Sequence, residues 1–145
     1  MKRLKVAVIG VGHLGKEHAR IYRELPDVEL VAVADCDRSK SGRAESLEVK
    51  FTTDYREILG QVDLASIATP TATHFEIARE VLNAGVHVLI EKPMTSRLED
   101  ADELIELARA KGLALQVGHV ERYNSGFRRI EHMARNIRFI EIHRL

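Results

Sequence analysis

The sequence predicts an α/β protein built on a doubly wound parallel sheet of six strands. Short β-branched apolar runs alternate with stretches whose apolar residues recur at helical spacing, and the connections between them are short. Several runs are apolar at consecutive positions, which is typical of parallel strands that helices cover on both faces. We therefore expect strands at residues 5–9, 30–34, 49–52, 64–68, 87–90 and 114–117.

Three helices are predicted between these strands, because apolar residues recur at helical spacing across residues 14–25, 75–82 and 101–108. Gly85 and Gly112 follow the second and third stretches, at positions where glycine commonly ends a helix.

Helix starts are predicted from capping residues. Thr73 with Glu76, and Ser96 with Glu99, have the spacing of a capping box. Asp54 is predicted to cap a short helix that runs to residue 59.

The end of the chain departs from the alternation. Asn124 or Ser125 is predicted to start a helix through about residue 135, and residues 137–145 (IRFIEIHRL) are predicted to form a strand. That strand is half apolar on both faces, so it needs neighbours that the chain does not supply. We therefore expect one domain at residues 1–123, followed at 124–145 by a linker helix and the first strand of a second, incomplete domain.

Composition excludes several classes of protein. The 145 residues suffice for one domain, and 22 basic residues balance 22 acidic ones, which argues against a strongly cationic nucleic-acid-binding surface. The single cysteine, Cys36, excludes an internal disulfide and favours a reducing compartment. The sequence shows no membrane-spanning run and no secretory signal pattern, so we expect a cytoplasmic protein without membrane or nucleic-acid partners.

The most informative motif is the glycine-rich run at residues 10–15 (GVGHLG), directly after the first predicted strand. Gly10 permits a tight turn, Gly12 lets backbone N–H groups approach a pyrophosphate, and Gly15 allows close packing of helix against strand. The helix N-terminus adds partial positive charge and free N–H donors. The run predicts a Rossmann dinucleotide site that the five residues 10–14 help to form, namely Gly10, Val11, Gly12, His13 and Leu14.

Asp35 ends the second predicted strand, 20 residues after Gly15. A carboxylate there accepts hydrogen bonds from the adenosine ribose hydroxyls and repels a 2′-phosphate, so NAD is favoured over NADP. Arg38 leaves the alternative open, since a nearby arginine holds a 2′-phosphate. Cys36 is assigned to the same part of the site without a reactive role.

Residues 68–74 (ATPTATH) follow the fourth predicted strand, at the sheet edge where open α/β sheets bind ligands. Ala68 is expected to contact the cofactor, and Thr69 and Pro70 are expected to line its nicotinamide side together with His74 and Glu91. Two interpretations of His74 remain open: a ligand contact, or a residue at a helix start whose ring bonds only backbone groups.

Glu91, Lys92 and Pro93 follow the fifth predicted strand at the same edge. Lys92 is the candidate catalytic residue, because a lysine beside nicotinamide and substrate hydrogen-bonds an alcohol or carbonyl oxygen and eases proton transfer. Pro93 fixes the backbone after it, with a cis bond as one option. A surface ion pair between Glu91 and Lys92 is the alternative.

Residues 118–124 (GHVERYN) follow the sixth predicted strand and form either the mouth of the cleft or a hinge without ligand contact.

Taken together, these four motifs resemble those of the Gfo/Idh/MocA oxidoreductases, the family of glucose–fructose oxidoreductase and inositol dehydrogenase. They match in order over nearly the whole chain, and the GHVERYN segment is similar to members acting on nucleotide-linked sugars, such as UDP-N-acetylglucosamine 3-dehydrogenases. Ser125 stands where relatives usually have proline.

The resemblance implies a two-domain, homo-oligomeric enzyme, a dimer or tetramer, that transfers hydride between NAD(P) and a sugar, nucleotide sugar or polyol. It implies that Lys92 is catalytic, that Glu91 is a cofactor-side residue and that Arg122 lies near nicotinamide or substrate. The family's other catalytic residues, an aspartate and a histidine of the second domain, have no counterpart here, so we expect cofactor binding with little turnover.

Two alternatives to the dehydrogenase hypothesis remain open. In the first, the chain is a non-catalytic NAD-binding sensor, against which the presence of Lys92 argues. In the second, the chain is a module that dimerises through the strand predicted at 137–145. No metal site is predicted.

Overall fold

The computed structural model describes residues 3–131 and Glu141. Its strands are β1 (Leu4–Ile9), β2 (Val28–Ala34), β3 (Lys50–Thr52), β4 (Leu64–Ile67), β5 (His87–Ile90) and β6 (Leu115–Val117). Its α-helices are α1 (His13–Glu24), α2 (Ser41–Leu47), α3 (His74–Asn83), α4 (Leu98–Lys111) and α5 (Ser125–Glu131). Short 3-10 segments lie at Arg38–Lys40, Tyr55–Gln61, Thr71–Thr73 and Val120–Tyr123.

All six strands form one parallel sheet in the order β3-β2-β1-β4-β5-β6. This is the strand order of the Rossmann fold, so the predicted fold class is confirmed. The order reverses between β1 and β4, and a crevice opens there at the carboxyl ends of the strands.

The central strands are apolar at consecutive positions because helices cover both faces of the sheet. Val6, Ala7 and Val8 of β1 are fully buried. Ala7 packs into the core that includes residues of α3 and α4, whereas Val8 packs into a second core with Ala19 of α1. Successive side chains of a strand point to opposite faces, so only an unbroken apolar run serves both cores.

Asp54, Gly85 and Gly112 lie at helix ends, as the sequence predicts. Asp54 accepts a hydrogen bond from the backbone N–H of Arg56 at 3.0 Å and so caps the Tyr55–Gln61 segment. Gly85 and Gly112 follow α3 and α4 with φ of 81° and 65°, the left-handed region that favours glycine at a helix end.

Both predicted capping boxes are wrong. Thr73 precedes α3, but its helical backbone directs the hydroxyl to Thr69 Oγ1 and the Pro70 carbonyl instead of to the helix N–H groups. An N-cap side chain reaches those groups from an extended backbone. The loop before α4 continues one residue beyond Ser96, so Arg97 occupies the cap position.

Two further features bear on the predictions. The helix α2 was not predicted, since the short sequence SGRAESL is polar and includes a glycine. Helix α5 begins at Ser125, and Asn124 Oδ1 accepts the N–H of Gly126 at 2.9 Å. The rest of the predicted tail helix and, apart from Glu141, the strand predicted at 137–145 lie outside the described residues. None of the helices in the described part is long and apolar enough to cross a membrane.

Candidate functional site

A groove of about 860 Å³ lies at the carboxyl ends of β1, β2 and β4, where the strand order reverses. This volume is within the range of small-molecule and cofactor sites. Three loops supply most of its wall: the glycine turn, the end of β2 and the loop after β4. The lining residues are Ile9, Gly10, Gly12, His13, Leu14, Ala34, Asp35, Cys36, Lys40, Thr53, Asp54, Tyr55, Arg56, Ala68, Thr69, Pro70, Thr73 and Ile77.

The three glycines of the turn differ in what surrounds them. Gly10 has a φ of 85°, and a Cβ on it would lie 2.8 Å from the carbonyl oxygen of Ala68. A Cβ on Gly15 would overlap the carbonyl of Gly10, so this glycine lets α1 pack against the turn. A Cβ on Gly12 would meet no described atom within 4 Å, so the groove is open in front of it.

The amino end of α1 faces this open space. Gly12 occupies its N-cap and has no side chain that could accept a hydrogen bond from the free N–H groups of the first turn. The first turn holds no acidic residue. Its N–H groups and partial positive charge therefore make the turn suited to an anion.

Asp35 lies at the end of β2 and is 8% exposed. Its Oδ2 accepts the N–H of Val11 at 2.9 Å, and its Oδ1 accepts the N–H of Asp37 at 3.0 Å. Burial by itself raises the pKa of Asp35, but these bonds and the Lys40 ammonium outweigh it and hold the pKa below its ordinary value. The carboxylate is therefore ionised at neutral pH.

His74 lies behind the loop after β4, not in the groove wall. Its ring is 1% exposed, with Nδ1 3.0 Å from the Pro93 carbonyl and Nε2 2.8 Å from the Thr69 carbonyl. These contacts match the interpretation in which the ring bonds only backbone groups. The ring ties the loop after β4 to the loop after β5, where the Lys92–Pro93 bond is cis.

Glu91 contributes to a second cavity, of about 330 Å³, formed with α1 and β6. Its Oε1 is 2.9 Å from His18 Nε2, while His18 Nδ1 is 2.7 Å from Ser66 Oγ. The other carboxylate oxygen accepts the backbone N–H of Lys92 at 3.2 Å. Glu91 thus lies behind Lys92 and on the side of α1, and it does not line the groove.

The remaining predicted residues are scattered. Val11 is fully buried and contributes its N–H, and Cys36 is exposed at the groove. Arg38 and Lys92 are exposed and line neither cavity. Arg122 lies beside α5, where its carbonyl accepts Nε of Arg128 at 3.1 Å.

Residues 4–119 match the model of the Gfo/Idh/MocA family, described as an oxidoreductase family with an NAD-binding Rossmann fold. The chain belongs to this family. The resemblance that the four motifs indicated is therefore confirmed.

Named relatives support the assignment. A UDP-N-acetylglucosamine 3-dehydrogenase of Acidithiobacillus ferrooxidans is 41% identical over 122 residues, 84% of this chain and 39% of that protein. Its solved structure has a TM-score of 0.85 at 37% identity, covering 92% of this chain and 44% of that one. GenD2 from gentamicin A biosynthesis, solved with NAD, has a TM-score of 0.89 at 35% identity, covering 94% and 40%. A scyllo-inositol 2-dehydrogenase (NAD(+)) of Bacillus subtilis is 31% identical over 133 residues, covering 86% and 38%.

This member of the Gfo/Idh/MocA family therefore spans about two-fifths of the length of those relatives. Its groove fits a dinucleotide on its own chemistry, since it combines an open, uncapped helix end with an ionised carboxylate at the end of the neighbouring strand β2.

Sequence reasoning missed several residues of this Gfo/Idh/MocA site. Lys40 lies in the same short turn as Arg38, and sequence does not indicate which of the two cations faces the groove. Tyr55 and Arg56 form the far wall, although the segment was predicted only as a capped helix. His18 fell within the apolar spacing of α1, so its polar partners carried no local signal.

Proposed function

We propose that this chain binds NAD in the groove and forms the cofactor-binding part of a dehydrogenase that acts on a hydroxyl or carbonyl of a sugar, nucleotide sugar or polyol. One observation carries the proposal: the open glycine turn at the uncapped end of α1 and the ionised Asp35, which accepts the Val11 N–H of that turn, line the same groove. Membership of an oxidoreductase family supports the redox chemistry.

The turn residues Gly10, Gly12, His13 and Leu14 would hold the pyrophosphate, and Asp35 would accept the adenosine ribose hydroxyls. Thr69 and Pro70 would line the nicotinamide side. An ionised Asp35 favours NAD over NADP.

The chemistry assigned to the chain itself is proton handling at the reacting oxygen. Bound NAD supplies a hydride acceptor in its nicotinamide ring. Lys92, directly after β5, would hydrogen-bond the substrate oxygen. It would take up the hydroxyl proton when the substrate is oxidised and return a proton to the carbonyl oxygen in the reverse direction. Glu91 would position Lys92, because its carboxylate holds the Lys92 backbone N–H from behind.

Three further proposals concern the whole protein. Residues 1–123 would form the cofactor domain and 124–145 would lead into a second domain, as the exposed apolar side chains of Phe127 and Ile130 support. The intact protein would be a cytoplasmic homo-oligomer. The sugar or polyol class rests on the names of the relatives.

A pair of glycine substitutions tests the cofactor proposal. Gly12→Ala places a methyl group in the open space before α1, where a Cβ meets no described atom within 4 Å. We expect at least about tenfold weaker NADH binding by a variant that circular dichroism shows to be folded, because the pyrophosphate loses its close approach. Fluorescence titration of NADH measures this affinity.

Gly42→Ala is the matched control. Gly42 lies in α2, away from the groove lining, and a Cβ on it would also meet no described atom within 4 Å. This variant should bind NADH like the wild type. Equal NADH affinity in the Gly12 variant and the wild type, or no NADH binding by the wild type, would contradict the proposal.

A further inference from the structure

Asp35 and Lys40 share one end of the groove, and their contact is close. Lys40 Nζ lies 3.1 Å from both carboxylate oxygens of Asp35 and 4.0 Å from Asp37 Oδ2. The lysine side chain is 30% exposed whereas that of Asp35 is 6% exposed. The ammonium is therefore the accessible member of the pair, and it lines the groove.

Asp35 has no acceptor capacity left over. A carboxylate offers about four lone-pair sites. The N–H groups of Val11 and Asp37 take one on each oxygen, and the two contacts of Lys40 take the others. A ligand hydroxyl that bonds Asp35 must therefore displace one of these donors.

Lys40 is the donor that can leave. The other two donors are backbone groups, fixed by the glycine turn and by the turn that starts at Asp37. Lysine carries three rotatable N–H donors on a flexible four-carbon stem. A ribose that reaches Asp35 thus separates the ammonium from its carboxylate.

We propose that Lys40 is a specificity-determining residue of the groove. It competes with the adenosine ribose of NAD for hydrogen bonds to Asp35, and its ammonium, once displaced, binds the 2′-phosphate of NADP. The inference rests on the proposed function, because it assumes that the adenosine ribose lies at Asp35. The groove then binds both NAD and NADP. It binds NAD more tightly, and Lys40 makes the difference between the two affinities smaller.

The charges at this end of the groove support the inference. An unpaired Asp35 repels a 2′-phosphate, whereas the charge of Lys40 offsets that of Asp35, and an ammonium bonds a phosphate strongly. Arg43 adds a cation between α2 and the turn, where its Nη1 donates to the Gly12 carbonyl at 2.8 Å. Arg38 is exposed and does not line the groove.

Separate titrations of NADH and NADPH test the inference. For the wild-type chain we expect the two dissociation constants to lie within about tenfold of each other. Lys40→Met keeps the length of the side chain and removes its charge. It should weaken NADPH binding about tenfold, leave NADH binding equal or tighter, and so raise the NADPH-to-NADH Kd ratio at least about tenfold.

Arg38→Met is the matched control, since it removes a cation of the same turn that does not line the groove, and its Kd ratio should equal that of the wild type. An unchanged ratio in the Lys40 variant, an equal loss of both nucleotides, or a shift with Arg38→Met instead overturns the inference. NADH binding in each variant shows that the groove is folded. A wild-type chain that binds neither nucleotide contradicts the proposed function and the inference with it.

Discussion

At the scale of single residues, His18 joins three elements through one ring. It bonds Ser66 of β4 and, on its other nitrogen, Glu91 at the end of β5. The Glu91 carboxylate is enclosed, because a Cβ on Gly118 would lie only 3.0 Å from its Oε1. Its two described donors are therefore His18 and the Lys92 N–H. Removal of the His18 ring leaves the buried Glu91 carboxyl group with one hydrogen-bond partner fewer.

His18→Phe should lower the free energy of unfolding by about 1–3 kcal/mol, because a buried acceptor is left unsatisfied. Urea unfolding measures the change. His13→Phe, an exposed position on the same helix, is the control and should shift stability by no more than about 0.5 kcal/mol.

A double variant separates the pair from simple loss of packing. His18→Phe combined with Glu91→Leu removes both polar partners, so it should be more stable than the sum of the single changes implies. Additive losses, or a His18→Phe protein as stable as the wild type, would show that the bond between His18 and Glu91 contributes nothing.

Residue-level prediction from sequence succeeded in placing Asp35 and the glycine turn at one groove, because a motif with fixed spacing encodes them. His18 had no such signal, since Ser66 and Glu91 lie 48 and 73 positions away along the chain. Lys40 escaped notice because turn geometry, and not residue type, decides which cation of residues 38–40 reaches Asp35.

At the scale of elements, the Tyr55–Gln61 segment is clamped to α3 beside the groove. The Tyr55 hydroxyl donates to Glu80 Oε2 at 2.7 Å, and Arg56 pairs with Glu80 while its guanidinium lies 4.8 Å from the Tyr55 ring centre. Tyr55 and Arg56 line the groove, so the clamp fixes its far wall.

This clamp should weaken at alkaline pH. Burial of the Tyr55 phenol, with its hydrogen bond to Glu80 and the negative charge of that carboxylate, raises its pKa from 10.0 to about 12. The folded state thus favours the protonated phenol. That contribution to stability is fully present below pH 10.0 and is lost as pH rises through about 12.

Both proteins should lose free energy of unfolding between about pH 9 and about pH 11, because their lysines titrate in this range. Tyr55→Phe should lose less than the wild type, because it has no phenol at this position to titrate. Glu80→Gln keeps the half-buried phenol but removes the neighbouring carboxylate, so the stability that this variant loses at alkaline pH should be intermediate. Urea unfolding at the two pH values measures the difference. The same loss in all three proteins would show that Tyr55 does not titrate as proposed.

The six strands were predicted well from the sequence, whereas two helix starts and the short helix α2 were not. The six strands follow from burial on both faces, which leaves a clear apolar signature in the sequence. The capping boxes at Thr73 and Ser96 failed because the backbone enters each helix differently from the motif. Helix α2 depends on packing of Ala44 and has little pattern of its own.

At the scale of the whole molecule, the groove and the proposed chemistry differ in how completely the chain supplies them. All residues that line the groove lie between Ile9 and Ile77, within the matched family region. Lys92, by contrast, is exposed and lines neither cavity. Val120 and Tyr123 are also largely exposed, at 64% and 71%. Cofactor binding should therefore be separable from turnover.

We expect the 145-residue chain to bind NADH and to oxidise sugars and polyols no faster than background. The resemblance assigns a further aspartate and histidine, and most of the substrate wall, to a second domain, and none of the residues that the structure describes forms such a wall beside Lys92. NADH formation from NAD with UDP-N-acetylglucosamine and scyllo-inositol, the compounds in the relatives' names, is the measurement.

Two comparisons decide what the outcome means. Turnover comparable with intact relatives, abolished by Gly12→Ala and by Lys92→Met, would contradict the expectation and show that these 145 residues suffice for catalysis. A longer protein containing this chain should transfer hydride and should lose that activity with Lys92→Met while it still binds NADH. If it binds NADH but transfers hydride to none of the substrates tested, the non-catalytic sensor is the better hypothesis, because sensing requires the groove and not the lysine.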